Sequence, residues 1–396
     1  MPHLARTWPA AVLVCVAASL VFGCEPMADD LDFDVAPAAI FRAAKLTDAP
    51  KTTGPHQLKV VAWNIKYGAK RLPFWFDCWG DRVQMSQDEV KGNMADLYKL
   101  IDEIDPDILM AEEIEVNSRR SAYYDMVQGI LDHTKLNWAA YFQTWNSRYI
   151  ASEGLGRMDL GNAIFTKHKI TKAERIRQAD RTDQSALTNM FYIKRVIGRA
   201  EIELPNGNGT AQIAAYVIHT EAYDVDGTKG KQIKQIHEQM GKEQLPFVLG
   251  GDFNEIPPTA VKKDGFNDER ETAVCSEDFS QPPYTPEVMQ PIYDDFVAWI
   301  PLADYGKTAK EQRRYFTHTV LGADEKNEEG ETGFWNRTLD YLFLGKGQKW
   351  LKGSTDVLQK AGQKVGGAGG VGPVIASDPM KLSDHAPVTG IWEVSL

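Results

Sequence analysis

The stretch Leu245–Pro257, LPFVLGGDFNEIP, decides how this chain is read. Phe247, Val248 and Leu249 make a short apolar run, two glycines follow, and Asp252 and Asn254 come next. An apolar run of that length bounded by glycine reads as a buried strand with a polar end. Lys381–Thr389, KLSDHAPVT, has the reverse order, with Asp384 and His385 ahead of Ala386, Pro387 and Val388. A carboxylate, an amide and an Asp-His pair at strand ends are what metal-assisted hydrolysis of a phosphate ester needs. Carboxylates hold a cation and supply a general base, while His and Asn meet phosphoryl oxygens.

Four more runs complete the set. Leu58–Ile65, LKVVAWNI, is an apolar strand ending near Trp63-Asn64, and Asp107–Glu113, DILMAEE, ends in two acids. Ala215–Glu221, AYVIHTE, sets His219 at a strand end, and Arg337–Leu344, RTLDYLFL, carries Asp340 inside an apolar run. An apolar strand closing on paired acids is unusual unless a cation sits there, because buried like charges repel. Asp340 in its apolar run needs a partner, and His385 can supply one.

In this order the six runs resemble the endonuclease/exonuclease/phosphatase superfamily. That superfamily includes pancreatic-type deoxyribonuclease, abasic-site endonucleases, neutral sphingomyelinases and inositol-polyphosphate phosphatases. The resemblance implies an α/β fold, a four-layer α/β sandwich with two central mixed β-sheets flanked by helices. It implies Mg²⁺, with Mn²⁺ as a substitute, held by Glu113 with Asn64 and Asp384 nearby. It assigns water activation to Asp252 and phosphate binding to Asn254, His219 and a His385–Asp340 dyad. Which carboxylate acts as base stays open. Three positions depart from the pattern. Glu112 stands where relatives carry Gln, and its role is open. Ile218 stands where Thr often precedes the His. Thr338 stands where Arg often lies two residues before the Asp, with Arg337 beside it. Tyr141, Arg148, Arg157 and Asn162 fall where relatives shape substrate binding, without roles that carry over.

Composition is that of a soluble globular enzyme, 43% hydrophobic and 25% charged over 396 residues. A net charge of −11 argues against a generally basic nucleic-acid wrapper. It does not exclude a nuclease, since a bound cation supplies local positive charge. Lys and Arg gather only weakly, at Lys167–Arg181 and Lys194–Arg199.

The N-terminus reads as a targeting segment, with Arg6 ahead of an apolar stretch, Trp8–Phe22, that is short for a membrane anchor. Leu20-Val21-Phe22-Gly23-Cys24 resembles a bacterial lipoprotein signal with Cys24 as the lipidated residue, although Phe22 is larger than usual there. The organisation expected is a signal over 1–23, a flexible tether over 24–56 and one catalytic domain over 57–396. Export is expected, either with a membrane attachment through lipidated Cys24 or, behind an ordinary cleaved secretory signal, as a periplasmic or secreted protein. The domain is expected to be a monomer. Cys78 and Cys275 are then left over in an exported chain, and the reading is a disulfide tying two active-site loops together, with two separate thiols as the alternative.

Along the chain, Ser86-x-x-Glu89 is a capping box, and Val90, Met94, Leu97, Ile101 and Ile104 make one apolar stripe ended by Pro106. Helices are also expected over Tyr123–Leu131 and Lys229–Lys242. Strands are expected over Trp138–Thr144, Asn162–Thr166, Asn189–Leu204 and Ala211–Ile218, the last two joined by the turn Asn206–Gly209. Thr259–Tyr293 reads as an irregular insertion. The expected function is a Mg²⁺-dependent phosphoesterase, with nucleic acid the first choice of substrate. A lipid or small-molecule phosphodiesterase or phosphatase is the second reading, and a catalytically silent surface-binding module the third.

Overall fold

The computed structural model describes residues 28, 32–47, 56–75, 77, 80–151, 154–206, 209–222, 224–266, 284–324, 326–327, 329–366 and 372–396. The leader, Cys24, Cys78 and Cys275 lie outside these, so neither the lipid site nor the expected disulfide falls within the described residues.

The first strands are β1 (Val35–Pro37), β2 (Ala39–Arg42), β3 (Gln57–Asn64), β4 (Ile108–Glu115) and β5 (Trp138–Ile150). Next come β6 (Gly156–Thr166), β7 (Lys169–Arg177), β8 (Val196–Asn206), β9 (Gly209–His219) and β10 (Phe247–Asp252). The last are β11 (Val297–Ala298), β12 (Asp340–Leu344), β13 (Lys349–Trp350), β14 (Asp356–Val357) and β15 (Val388–Glu393). The main helices are α1 (Gln87–Ile104), α2 (Met126–His133), α3 (Ala186–Phe191) and α4 (Thr228–Met240).

The strands form two mixed sheets. One runs β1-β7-β8-β9-β10-β12-β11, the other β13-β15-β3-β4-β6-β5-β2, with β14 paired to β15. Only the central pairs β3/β4 and β9/β10 are parallel among the described strands. Each therefore ends, side by side, on a pair of C-terminal strand tips.

Period-two alternation explains the layering. On β3, Val60 and Ala62 enter the core between the sheets with Met110, Phe142, Ile164, Val217 and Leu249. Val61 and Trp63 point the other way, onto Val90, Met94, Leu97 and Ile101 of α1 and Ile130 of α2. Helix α4 adds Ile233, Ile236 and Met240 to the inter-sheet cluster's side. The result is the four-layer α/β sandwich expected from the sequence.

The glycines of the Gly250-Gly251 pair do different work. A Cβ on Gly250 would come within 2.7 Å of Met110 Cε on the facing sheet. One on Gly251, whose φ is +141°, would come within 2.0 Å of the Ile218 carbonyl oxygen on β9. Close sheet packing and close strand pairing both depend on their lack of a side chain.

Several expectations shift. Residues within the segment read as a tether belong to the body: β1 pairs with β7 and β2 with β5, so one short run covers an edge of each sheet. Ala28 also bridges Ser147 of β5. The Ala/Pro-rich composition concealed these short strands, and Pro37 is tolerated because an edge strand leaves one side unpaired. The strand expected from Asn189 starts at Val196 instead. Ser185 caps α3, accepting from Thr188 N, and carries Asn189 into the helix. The helix expected from Tyr123 begins at Met126, behind the N-cap Asp125.

The α1 capping box is present in full. Ser86 Oγ accepts from Glu89 N at 3.2 Å, and Glu89 Oε2 accepts from Ser86 N at 2.8 Å. The chain leaves the helix through Asp105, in the left-handed region at φ 54°. The Ser86 amide and Arg82 hold the Glu89 carboxyl down to about 2. A depressed carboxyl contributes stability above its unfolded value and loses it as pH falls through the folded one. Ser86→Ala should therefore cost about 1 kcal/mol at neutral pH in urea denaturation. Glu89→Gln removes the depressed carboxyl itself, and its deficit from the native chain should shrink as pH falls from 4.5 towards 2.

Candidate active site

The parallel pairs decide where the chemistry goes. Asn64 ends β3, Glu112 and Glu113 lie near the end of β4, His219 ends β9 and Asp252 ends β10. Ligands in open α/β sheets sit beyond the carboxyl ends of strands, and here two such ends face each other. Asp340 opens β12 directly opposite Asp252, because β12 runs antiparallel to β10. Asp384 and His385 immediately precede the β15 region. Glu113, His219, Asp252, Asn254, Asp384 and His385 line one cavity of about 330 Å³, with Asn64 and Asp340 behind it. All eight residues selected from the sequence are thus brought together.

Glu113 reaches the cavity through a local irregularity. The β4–β6 register shifts between Ala111 and Ile114, and Glu113 has φ 59°. Such an extra residue re-aims a side chain. Glu113 is half-buried, while Glu112 is fully buried with neither carboxylate oxygen hydrogen-bonded. Burial, with Asp340 and Asp252 nearby, pushes the Glu112 carboxyl well above its usual range. Burial thus favours its neutral form, and a neutral carboxylic acid has nearly the shape and hydrogen-bonding capacity of Gln.

Asn64 ties the two sheets' acids together. Its Oδ1 accepts from Lys66 N at 3.0 Å, which fixes the amide orientation. Its Nδ2 donates to Glu113 Oε1 at 3.0 Å and towards Asp252 Oδ2 at 3.4 Å. Asp252 Oδ1 accepts from Asn254 N at 2.8 Å, and Asn254 is held at φ 47°. Asn254 Nδ2 donates to Thr220 O at 3.1 Å, and Lys229 Nζ donates to Asn254 O at 2.8 Å. Positive φ at both Glu113 and Asn254 is backbone strain concentrated at the site.

The expected dyad is formed. His385 Nδ1 lies 2.8 Å from Asp340 Oδ2 and 3.1 Å from Oδ1, leaving Nε2 towards Asp252 Oδ2 at 3.7 Å. Burial alone would depress the imidazolium, but Asp340 and Asp252 outweigh it and hold His385 cationic. Its backbone is anchored too: Trp63 Nε1 donates to His385 O at 2.9 Å, and Ser383 Oγ donates to Asn64 O at 2.7 Å. His219 Nε2 stands 3.5 Å from Asp252 Oδ2. Burial, then Arg195 and His385, push its pKa well down, so His219 is neutral. Asp252 is pushed up by burial, reinforced by Asp340 and opposed by His385.

Sequence reasoning missed three neighbours. Lys66, two residues after Asn64, places Nζ 3.2 Å from Asp384 Oδ2 and 2.7 Å from Asp77 Oδ2. Burial favours protonated Asp384, but Lys66, His385 and Arg71 together outweigh it and keep the carboxyl low. The expected metal ligand is thus already paired with an ammonium. His318 lies against His385, ring centroids 4.5 Å apart, and Arg195 lines the cavity. Only the Lys66 spacing was a usable signal, since His318 and Arg195 arrive through tertiary pairing. Tyr141, Arg148, Arg157 and Asn162 do not line the cavity, and Tyr141 donates to Asp159 at 2.9 Å.

The donor set fits a divalent cation. Asp252, Asp340 and His385 each offer one atom within 4.8 Å of the others, but His385 is held cationic and Asp340 is bonded to it. Asp252 and the half-buried Glu113, joined through the Asn64 amide, are therefore the carboxylates that would hold the ion. Mg²⁺ favours one or two carboxylates together with substrate phosphate oxygens.

Buried carboxylates, a held imidazolium and a bound amide on facing strand ends define a phosphoester hydrolase. The chain belongs to the endonuclease/exonuclease/phosphatase family, whose members are metal-dependent phosphoester hydrolases, and the family model matches residues 61–385. No curated relative matches it in sequence. Among solved structures it is similar to an endonuclease/exonuclease/phosphatase protein from Beutenbergia cavernae, with 14% identity, 86% of this chain and 72% of that one covered, and TM-score 0.49. It is similar to a mannosyl-6-phosphatase from Bacteroides thetaiotaomicron, with 13% identity, 85% and 99% covered, and TM-score 0.44. A third likeness is to TDP2 of D. rerio in complex with a single-strand DNA product, with 13% identity, 85% and 99% covered, and TM-score 0.43.

Asp252→Asn and His385→Ala should each lower kcat by at least ~10²-fold, the scale of a lost acid–base or charge-stabilising group. Asp252→Asn should melt no lower than the native chain, since it relieves carboxylate crowding. Near-native turnover in either variant would refute these roles.

Proposed function

We propose that this chain is a Mg²⁺-dependent phosphodiesterase, with Mn²⁺ as a substitute ion and a nucleic-acid strand as its principal substrate class. The observation that carries this reading is the position of Asp252. Its Oδ2 faces the Asn64 amide and the imidazoles of His219 and His385, at one end of a 330 Å³ cavity. A bound divalent cation would add charge stabilisation at a phosphoryl oxygen.

The chain's own groups then divide the work. Asp252, whose proton affinity is raised by burial, takes a proton from the attacking water. His385, held cationic by Asp340, donates to a phosphoryl oxygen. Asn254 supplies an amide N–H to the developing oxyanion, and neutral His219 positions the opposite oxygen. A cavity of this size takes one phosphate and its immediate substituents, which suits a single strand better than a duplex. An apolar wall including Trp75, Trp145, Leu155 and Ile193 favours a second reading, the phosphodiester of a lipid or small molecule. Residues 1–23 direct export in this reading, and Cys24 carries the lipid.

Hydrolysis should disappear in excess EDTA and return with Mg²⁺ or Mn²⁺. A side-by-side panel of single-stranded DNA, RNA, sphingomyelin and bis(p-nitrophenyl) phosphate reads both the metal requirement and the substrate class. Full turnover in chelator would sink the mechanism, and preference for sphingomyelin would select the second reading.

The anchor has its own check. Cys24→Ser should release the protein from membrane fractions, because buried acyl chains contribute ~0.8 kcal/mol per CH₂. Unchanged membrane retention would rule lipid at Cys24 out as the attachment.

A further inference from the structure

Arg195 directly precedes Val196, the first residue of β8, and β8 pairs with β9, whose last residue is His219. Adjacent strands lie about 4.8 Å apart, so Arg195 stands roughly one strand outward from the phosphate-facing His219. The side chain is buried, with a relative exposure of 7%, and lines the cavity. Its Nε and Nη1 have no hydrogen-bond partner in the protein. Among the described residues its one ion partner is Glu221, with Oε2 at 3.8 Å from Nε, too far for a hydrogen bond.

Glu221 is moreover shared. Its Oε1 accepts from Tyr192 Oη at 2.6 Å and lies 3.8 Å from Arg181 Nη1. Arg181 has its own fork-to-fork pairing with Asp183, at 2.9 and 2.6 Å. Arg195 is therefore a buried guanidinium that is half-compensated and under-bonded. Trp145, Leu155, Leu160 and Ile193 line the same cavity and lower the local dielectric. A guanidinium fork in such a setting matches the oxygens of a phosphate. Its proximity to His219 is independently visible in the electrostatics, since Arg195 helps depress the His219 imidazolium.

We propose that Arg195 forms a second anion subsite, so that the preferred substrate carries another phosphate beside the one being hydrolysed. The proposal rests on the phosphodiesterase reading above and narrows its substrate. The neighbouring phosphate of a nucleic-acid strand and the second phosphate of a small bisphosphate share this chemistry.

Equilibrium binding to the full chain separates the cases without needing turnover. Thymidine 5′-monophosphate, thymidine 3′,5′-bisphosphate and fructose 1,6-bisphosphate are titrated into the native protein, Arg195→Gln and Arg195→Lys. A bisphosphate should bind at least ~10-fold more tightly than the monophosphate. Arg195→Gln should abolish that ratio, and Arg195→Lys should restore part of it, at unchanged melting temperature. A structural role alone would move the melting temperature and weaken all three ligands alike. Stronger binding of the nucleotide bisphosphate marks a strand as the source, and stronger binding of the sugar bisphosphate marks a small molecule. Equal affinities for all three, or a ratio unaffected by Arg195→Gln, overturn the subsite. Hydrolysis of bis(p-nitrophenyl) phosphate with Mg²⁺ is measured on the same native sample. Its absence would count against the phosphodiesterase reading, while the binding ratio still decides the subsite.

Discussion

The site depends on one shared amide. Asn64 Nδ2 sits between Glu113 of its own sheet and Asp252 of the facing sheet. Neither sheet contains a complete site: one contributes Asn64, Glu113, Asp384 and His385, the other His219, Asp252, Asn254 and Asp340. The packing between β3, β4, β9 and β10 is thus a catalytic constraint as well as a source of stability. Gly250 shows how tight that constraint is, since even a methyl group there would collide with Met110. Interiors packed this densely do not yield smoothly, so a core change that shifts one sheet would be felt at the Asn64 amide.

Charge is the second constraint. Glu112, Glu113, Asp252, Asp340 and Asp384 crowd a region whose compensating side chains are chiefly Lys66 and His385. The protein manages this by different means at each acid. Lys66, His385 and Arg71 hold Asp384 low, Asp340 pairs with His385, and burial pushes Glu112 towards its neutral form. Asp252 and Glu113 are raised by burial and neighbouring acids, which is the condition under which a carboxylate welcomes either a proton or a cation.

Much of this was legible in the sequence, for a physical reason. Residues at strand ends inherit their place from hydrophobic periodicity, so Asn64, Glu113, His219 and Asp252 could be located from short apolar runs. The capping box and stripe of α1 are likewise local signals. What escaped was set by tertiary pairing. His318 reaches His385 through an isolated bridge, and Arg195 faces the cavity because β8 lies beside β9, whereas Lys66 did carry a local signal in its spacing from Asn64. The N-terminal strands escaped for another reason. Strands of three and four residues at a sheet edge carry almost no period, and an Ala/Pro-rich composition looks the same in a linker.

The Ala28 bridge ahead of those strands sets a working radius. Ala28 bridges Ser147, two residues from the cavity-lining Trp145, and Cys24 lies only four residues earlier. Four residues reach at most ~14 Å when fully extended. With lipid on Cys24, the protein would be less a tethered enzyme roaming above a bilayer than a short-leashed one, its Trp145 side kept close to the headgroups. Substrates would then be met at the surface, and a long polymer would have to present its strand there rather than be pursued into solution.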